Sequence, residues 1–165
     1  MSATEMTPPT EVVRSTLSPA AQDLVRSRLQ PLLVDLIDLS LTAKQFHWNV
    51  VGRNFRSLHL QLDEVTDEYR TWMDQVAERM TSVGIAPDGR VQRVAGDSPA
   101  DPAPESWVQT TEVVQAMTDR IHAVASATRE RLSGLGDVDA PSEDLLIQIL
   151  DGLEMQLWMF SAQLN

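Results

Sequence analysis

Apolar residues along this chain recur at intervals of three and four, and nowhere do they alternate as a strand would require. Four stretches carry the pattern. In the first, Ser18 and Pro19 mark a helix start, a capping side chain followed by a residue that needs no N–H. Leu29, Leu32, Leu33, Leu36, Ile37 and Leu41 then form a stripe that predicts a helix to about Val50. Pro31 lies inside it and must either kink the helix or mark its true beginning. Gly52 to Asn54 makes a short turn. Leu58, Leu62, Val65, Tyr69, Trp72, Val76, Met80 and Val83 predict the second helix, closed by Gly84. Residues 85–105 hold four of the nine prolines and read as a long crossover. Val114, Met117, Ile121 and Val124 place a third helix over about Trp107 to Leu132, stopped by Gly134 and Gly136. Ser142 is the expected cap of a fourth, whose stripe is Leu146, Ile149, Leu150, Leu153, Leu157, Phe160 and Leu164.

Four long helices joined by short, long and short connections describe an all-α four-helix bundle with one crossover, the ferritin-like arrangement. The expected division is a flexible tail over 1–17, polar and without period, and a bundle over 18–165, with no basic tail after the last helix. A chain of 165 residues, 42% apolar, suits one domain with a real core.

Charge and cysteine content narrow the chemistry. The formal net charge is −11, and Lys44 is the single lysine. That balance opposes a free-standing nucleic-acid binder, because phosphate backbones select basic surfaces. It favours attraction of cations. The absence of cysteine excludes disulfides, zinc–thiolate sites, iron–sulfur clusters and thiol nucleophiles. The first residues show no basic segment leading into an apolar run, and Asp35 and Asp38 interrupt the most apolar stretch. A cytoplasmic protein is the expectation. There is no glycine-rich phosphate loop and no serine-nucleophile motif.

The candidate chemistry lies on the second helix. At about 100° per residue, His59, Asp63, Asp74 and Glu78 fall at roughly 0°, 40°, 60° and 100°, one polar stripe beside the apolar one. One helix cannot bring both pairs to one ion, since Asp63 and Asp74 are roughly 16 Å apart along the axis. An antiparallel crossing of the helix with its own copy could. Residues i and j then meet when their sum is constant, and 59 with 78 and 63 with 74 share the sum 137. A two-fold axis near residue 68 or 69 would build two equivalent sites, each needing both chains. His47, at the end of the first helix, could lean over the same end. Two imidazoles and three carboxylates suit iron or manganese better than calcium or zinc. Taken alone, carboxylates at helical spacing also describe a solvated face. His122 reads as a surface or packing histidine, Asp119-x-x-His122 as one imperfect echo of a within-bundle di-iron motif, and Trp48, Trp72 and Trp158 as core or interface aromatics.

His47-Trp48-Asn-Val-Val-Gly52, Phe55, Leu58-His59, Asp63-Glu64 and Asp74-x-x-x-Glu78-Arg79 resemble the Dps family, the miniferritins of starved bacteria. The likeness runs from about residue 23 to the end and includes Asp144-Leu-Leu and Leu157-Trp158. The resemblance implies a hollow shell of twelve subunits with ferroxidase centres at its two-fold interfaces. Iron(II) would be oxidised there, preferentially by hydrogen peroxide, and iron(III) stored inside as mineral. His47, His59 and Asp63 would come from one subunit and Asp74 and Glu78 from its partner, with Trp48 beside the centre. Asp144 would line an iron-entry pore. Relatives that bind DNA use basic tails. This N-terminal segment carries Arg14 but also Glu5 and Glu11, so DNA binding is expected to be weak or absent. Two other classes remain open, a DNA-compacting nucleoid protein and a metal-dependent hydrolase using the same residues.

Overall fold

The computed structural model describes residues 13–98 and 101–164. Its long helices are α1 (Pro19–Asn49), α2 (Phe55–Ser82), α4 (Thr110–Arg131) and α5 (Ala140–Ser161), the last continued by a 3-10 turn over Ala162–Leu164. They pack as two antiparallel hairpins, α1 on α2 and α4 on α5, joined by the crossover. Among the described residues no helix is long and apolar enough to cross a membrane.

The core lies where the four apolar stripes converge. Leu29, Leu32, Leu36 and Leu39 of α1 meet Leu58, Leu62, Tyr69 and Met80 of α2, with Met117, Ile121, Ile149, Leu153 and Phe160 closing the far side. Pro31 does not end α1, which runs through it unbroken. Pro31 and Ser27, whose carbonyl loses its helical donor, both face outward, so water can satisfy the freed group. α2 stops as expected, at Gly84, which takes φ +81° while the Ile85 N–H turns back to the Met80 carbonyl.

The crossover carries a short helix of its own, α3 (Val91–Asp97). Two expectations need correction. Strand pairing exists. Val50–Val51 (β1) and Val108–Gln109 (β2) form a two-residue parallel ladder, too short to leave an alternating pattern. The fourth helix opens at Ala140 after Asp139, so Ser142 is not its cap but a fully buried residue of its first turn. Its hydroxyl serves Asp139 and Arg79 instead.

Of the expected tail, residues 1–12 lie outside the described residues. Leu17 packs against the core, and the Ser15 hydroxyl donates to the Val83 carbonyl at 2.7 Å. Gln22 Nε2 reaches the same carbonyl at 2.7 Å, so the end of α2 is covered from α1 and the segment before it.

Candidate metal centre

His47 stands in the last turn of α1 and His59 in the first turns of α2, and the turn at 50–54 folds one back over the other. Their rings stack with centroids 3.7 Å apart and planes 20° from parallel. His47 Nδ1 lies 2.8 Å from the His59 carbonyl, and His59 Nδ1 lies 2.9 Å from the His47 carbonyl. A carbonyl can only accept, so both Nδ1 atoms carry the proton. In the neutral ring each Nε2 then keeps its lone pair, the state of a metal-ligating imidazole. Phe55 tilts against His59 with ring centroids 5.1 Å apart and limits its rotation.

Asp63 lies one turn beyond His59 and is held by Lys44 of α1. That ammonium, through its hydrogen bond foremost, keeps the Asp63 carboxyl below the usual carboxylate range. Lys44 is the residue that spacing arguments passed over. Its signal was present, since the only lysine of the chain lies three residues before His47 on the same helix face. A cation arriving at Asp63 has to share or displace this ammonium.

Asp74 and Glu78 lie on the same stripe of α2, toward its other end. Both are exposed, and among the described residues neither has a hydrogen-bond or ion-pair partner. Glu78 lines a shallow groove of about 430 Å³ with Gln75, Arg79, Asp144 and Gln148. Asp144 is exposed on the first turns of α5 and accepts a hydrogen bond from Gln148 at 2.7 Å. The chain thus brings His47, His59 and Asp63 together at one end of α2 and holds Asp74 and Glu78 at the other. Among the described residues no three metal-binding side chains gather closely enough to hold an ion.

The aromatic residues divide. Trp48 is 64% exposed and Trp158 67% exposed, so neither is a core residue of the single chain. Trp72 is half-buried against Tyr69 and seats its ring over Gly152 of α5. His122 and Asp119 are both exposed on α4, away from the histidine pair.

The arrangement supplies imidazole nitrogen and carboxylate oxygen, with no sulfur, to a hydrated surface. Iron(II), a borderline cation that accepts such mixed sets with open positions, fits these donors. Comparison with known proteins points the same way. The model of the ferritin-like domain family matches residues 27–165. A DNA protection during starvation protein of Mycolicibacterium smegmatis is 35% identical over 142 residues, covering 86% of this chain and 77% of that one. The fine tangled pili major subunit of Haemophilus ducreyi is 32% identical over 149 residues, with coverage of 90% and 79%. A solved structure of Mycobacterium smegmatis Dps superposes with a TM-score of 0.87 at 32% identity, covering 93% of each chain.

Proposed function

Because this chain belongs to the ferritin-like family, and within it to the DNA-protection-during-starvation (Dps) proteins, we propose that it is a ferroxidase that stores iron in a hollow dodecameric shell. Iron(II) is the substrate, and hydrogen peroxide is the preferred oxidant. Two iron(II) ions, one peroxide and two protons yield two iron(III) ions and two waters, so neither Fenton reagent survives to release hydroxyl radical. Residues 18–165 form the bundle of each subunit and 1–17 its tail.

The observation that carries the proposal is the crossed pair of His47 and His59 bonds. Each ring directs its Nδ1 to the other residue's carbonyl, which in the neutral rings leaves both Nε2 lone pairs free, with Asp63 one helical turn beyond His59. Asp74 and Glu78, without partners in their own chain, are the complementary half. In the two-fold arrangement His47, His59 and Asp63 of one subunit face Asp74 and Glu78 of the partner, and two metals share the site. Trp48, exposed and adjacent in sequence to His47, lies where it can pack on the neighbouring subunit or intercept an oxidising equivalent. Asp144 gathers incoming cations at the entry pore. DNA binding at physiological salt is weak or absent, because each subunit brings a net charge of −11 and few groups that release phosphate counterions.

The test is anaerobic addition of iron(II) followed by measured doses of hydrogen peroxide in the presence of a hydroxyl-radical trap. Two irons consumed per peroxide without trapped radical is the expected result. His59→Ala and Asp74→Ala should each lower the fast rate by about 100-fold or more while leaving the helical spectrum unchanged. Peroxide consumption surviving both changes would show that the wrong residues have been assigned.

A further inference from the structure

Arg79 follows Glu78 on α2, yet its side chain crosses to the start of α5. Its Nη2 lies 2.7 Å from each carboxylate oxygen of Asp139, and its Nε donates to the Ser142 hydroxyl at 3.0 Å. That hydroxyl donates in turn to Asp139, closing a three-membered network. The Asp139 side chain is 5% exposed and Ser142 is fully buried. A pair of this kind, with a buried carboxylate, is costly to open from the arginine side, because the Asp139 charge is left without compensation. The link between the two helix ends is therefore stiff.

Its place in the fold gives that stiffness a use. Glu78 stands one turn from the end of α2 at Ser82, where the last carbonyls have no intrahelical donor and the backbone is held at Val83 by Ser15 and Gln22. The Glu78 carboxylate is exposed and receives no bond of its own. Nothing on its side chain fixes its direction, so the backbone beneath it must do so. The neighbouring Arg79 is the one residue of that turn tied by an ion pair, to the buried Asp139 carboxylate at the start of α5, among the described residues.

We propose that Arg79 is a positioning residue for Glu78. By clamping the last turn of α2 to Asp139 and Ser142, it sets the position from which Glu78 reaches iron on the partner subunit. Asp139 also cancels the guanidinium charge beside a carboxylate that must receive a cation. This rests on Glu78 being an iron ligand, and the experiment separates the two claims.

Iron(II) binding is titrated anaerobically on assembled wild-type protein, Arg79→Lys, Glu78→Ala and the double variant. Lysine keeps the charge and loses the fork. Arg79→Lys should weaken binding about 10-fold, and Glu78→Ala by at least as much. The double variant should bind no more weakly than Glu78→Ala alone, because the arginine acts only through the glutamate. Additive losses would overturn the proposal, as would wild-type binding by Arg79→Lys where Glu78→Ala is impaired. Wild-type binding by Glu78→Ala would instead remove the ligand assignment, and the positioning role with it. Should Arg79→Lys fail to assemble, Ser142→Ala breaks one bond of the network and enters the same cycle with the same required non-additivity.

Discussion

A histidine near a carboxylate is a common sight, and what distinguishes His47 and His59 is where their protons go. Each Nδ1–H is spent on a backbone carbonyl of the other residue, which fixes both tautomers without a carboxylate partner. The opposite situation holds at Tyr69, whose hydroxyl is fully buried and has no hydrogen-bond partner among the described residues. Burial pushes its phenol far above the ordinary range, so it is neutral at every working pH. A buried hydroxyl without a partner costs about 1–3 kcal/mol. Tyr69→Phe keeps the ring contact with Trp72 and removes that cost. It should raise stability by about 1 kcal/mol in urea unfolding. A loss of stability would mean that the hydroxyl is satisfied in the assembled protein.

At the scale of elements, the two-residue ladder between β1 and β2 does more than its length suggests. It ties the α1–α2 turn, which positions both histidines, to the N-terminus of α4. There Gln109 and Glu112 form a reciprocal capping box. Gly52 sits at this junction with φ +118°, a region that L side chains rarely adopt. A Cβ on it would lie 2.7 Å from Gln109 Oε1 and 3.2 Å from Thr110 Oγ1. Gly52→Ala should therefore destabilise the chain by about 1–3 kcal/mol, seen as a lower urea midpoint. An unchanged midpoint would show that the turn relaxes freely and does not constrain the histidine pair.

For the whole molecule, the proposed two-fold axis makes a prediction beyond the ligands. Asp67 and Arg70 are exposed on the same stripe of α2, and their numbers also sum to 137. Among the described residues neither has an ion-pair partner in its own chain. Across the axis each would face the other's counterpart, giving two ion pairs between the metal sites. Exposed pairs contribute little individually, about 0.2–1 kcal/mol, but placing like charges together costs more. Asp67→Arg and Arg70→Asp should each shift the assembly toward smaller species in sedimentation, and the double exchange should restore it. Failure of the exchange to restore assembly would move the axis away from residues 68 and 69.

The helices and the family were legible in the order of residues because both depend on short-range regularities. Apolar spacing of three and four places each helix, Gly84 ends α2, and the residues from His47 to Arg79 carry the family likeness in one continuous stretch. The stripe on α2 was legible for the same reason, since four side chains on one helix share a face whatever surrounds them. What required the tertiary structure were contacts between residues distant along the chain. Two residues of β1 and two of β2 are too few to alternate, and they pair only because the crossover brings position 108 to position 50. Ser142 looks like a cap until Arg79, 63 residues earlier, claims its hydroxyl. No spacing rule ties the Lys44 ammonium to Asp63 or the imidazole protons to particular carbonyls. Hydrogen bonds act over about 3 Å in space with no regard for sequence distance, so only the folded chain decides which donors are spent and which lone pairs remain for a metal.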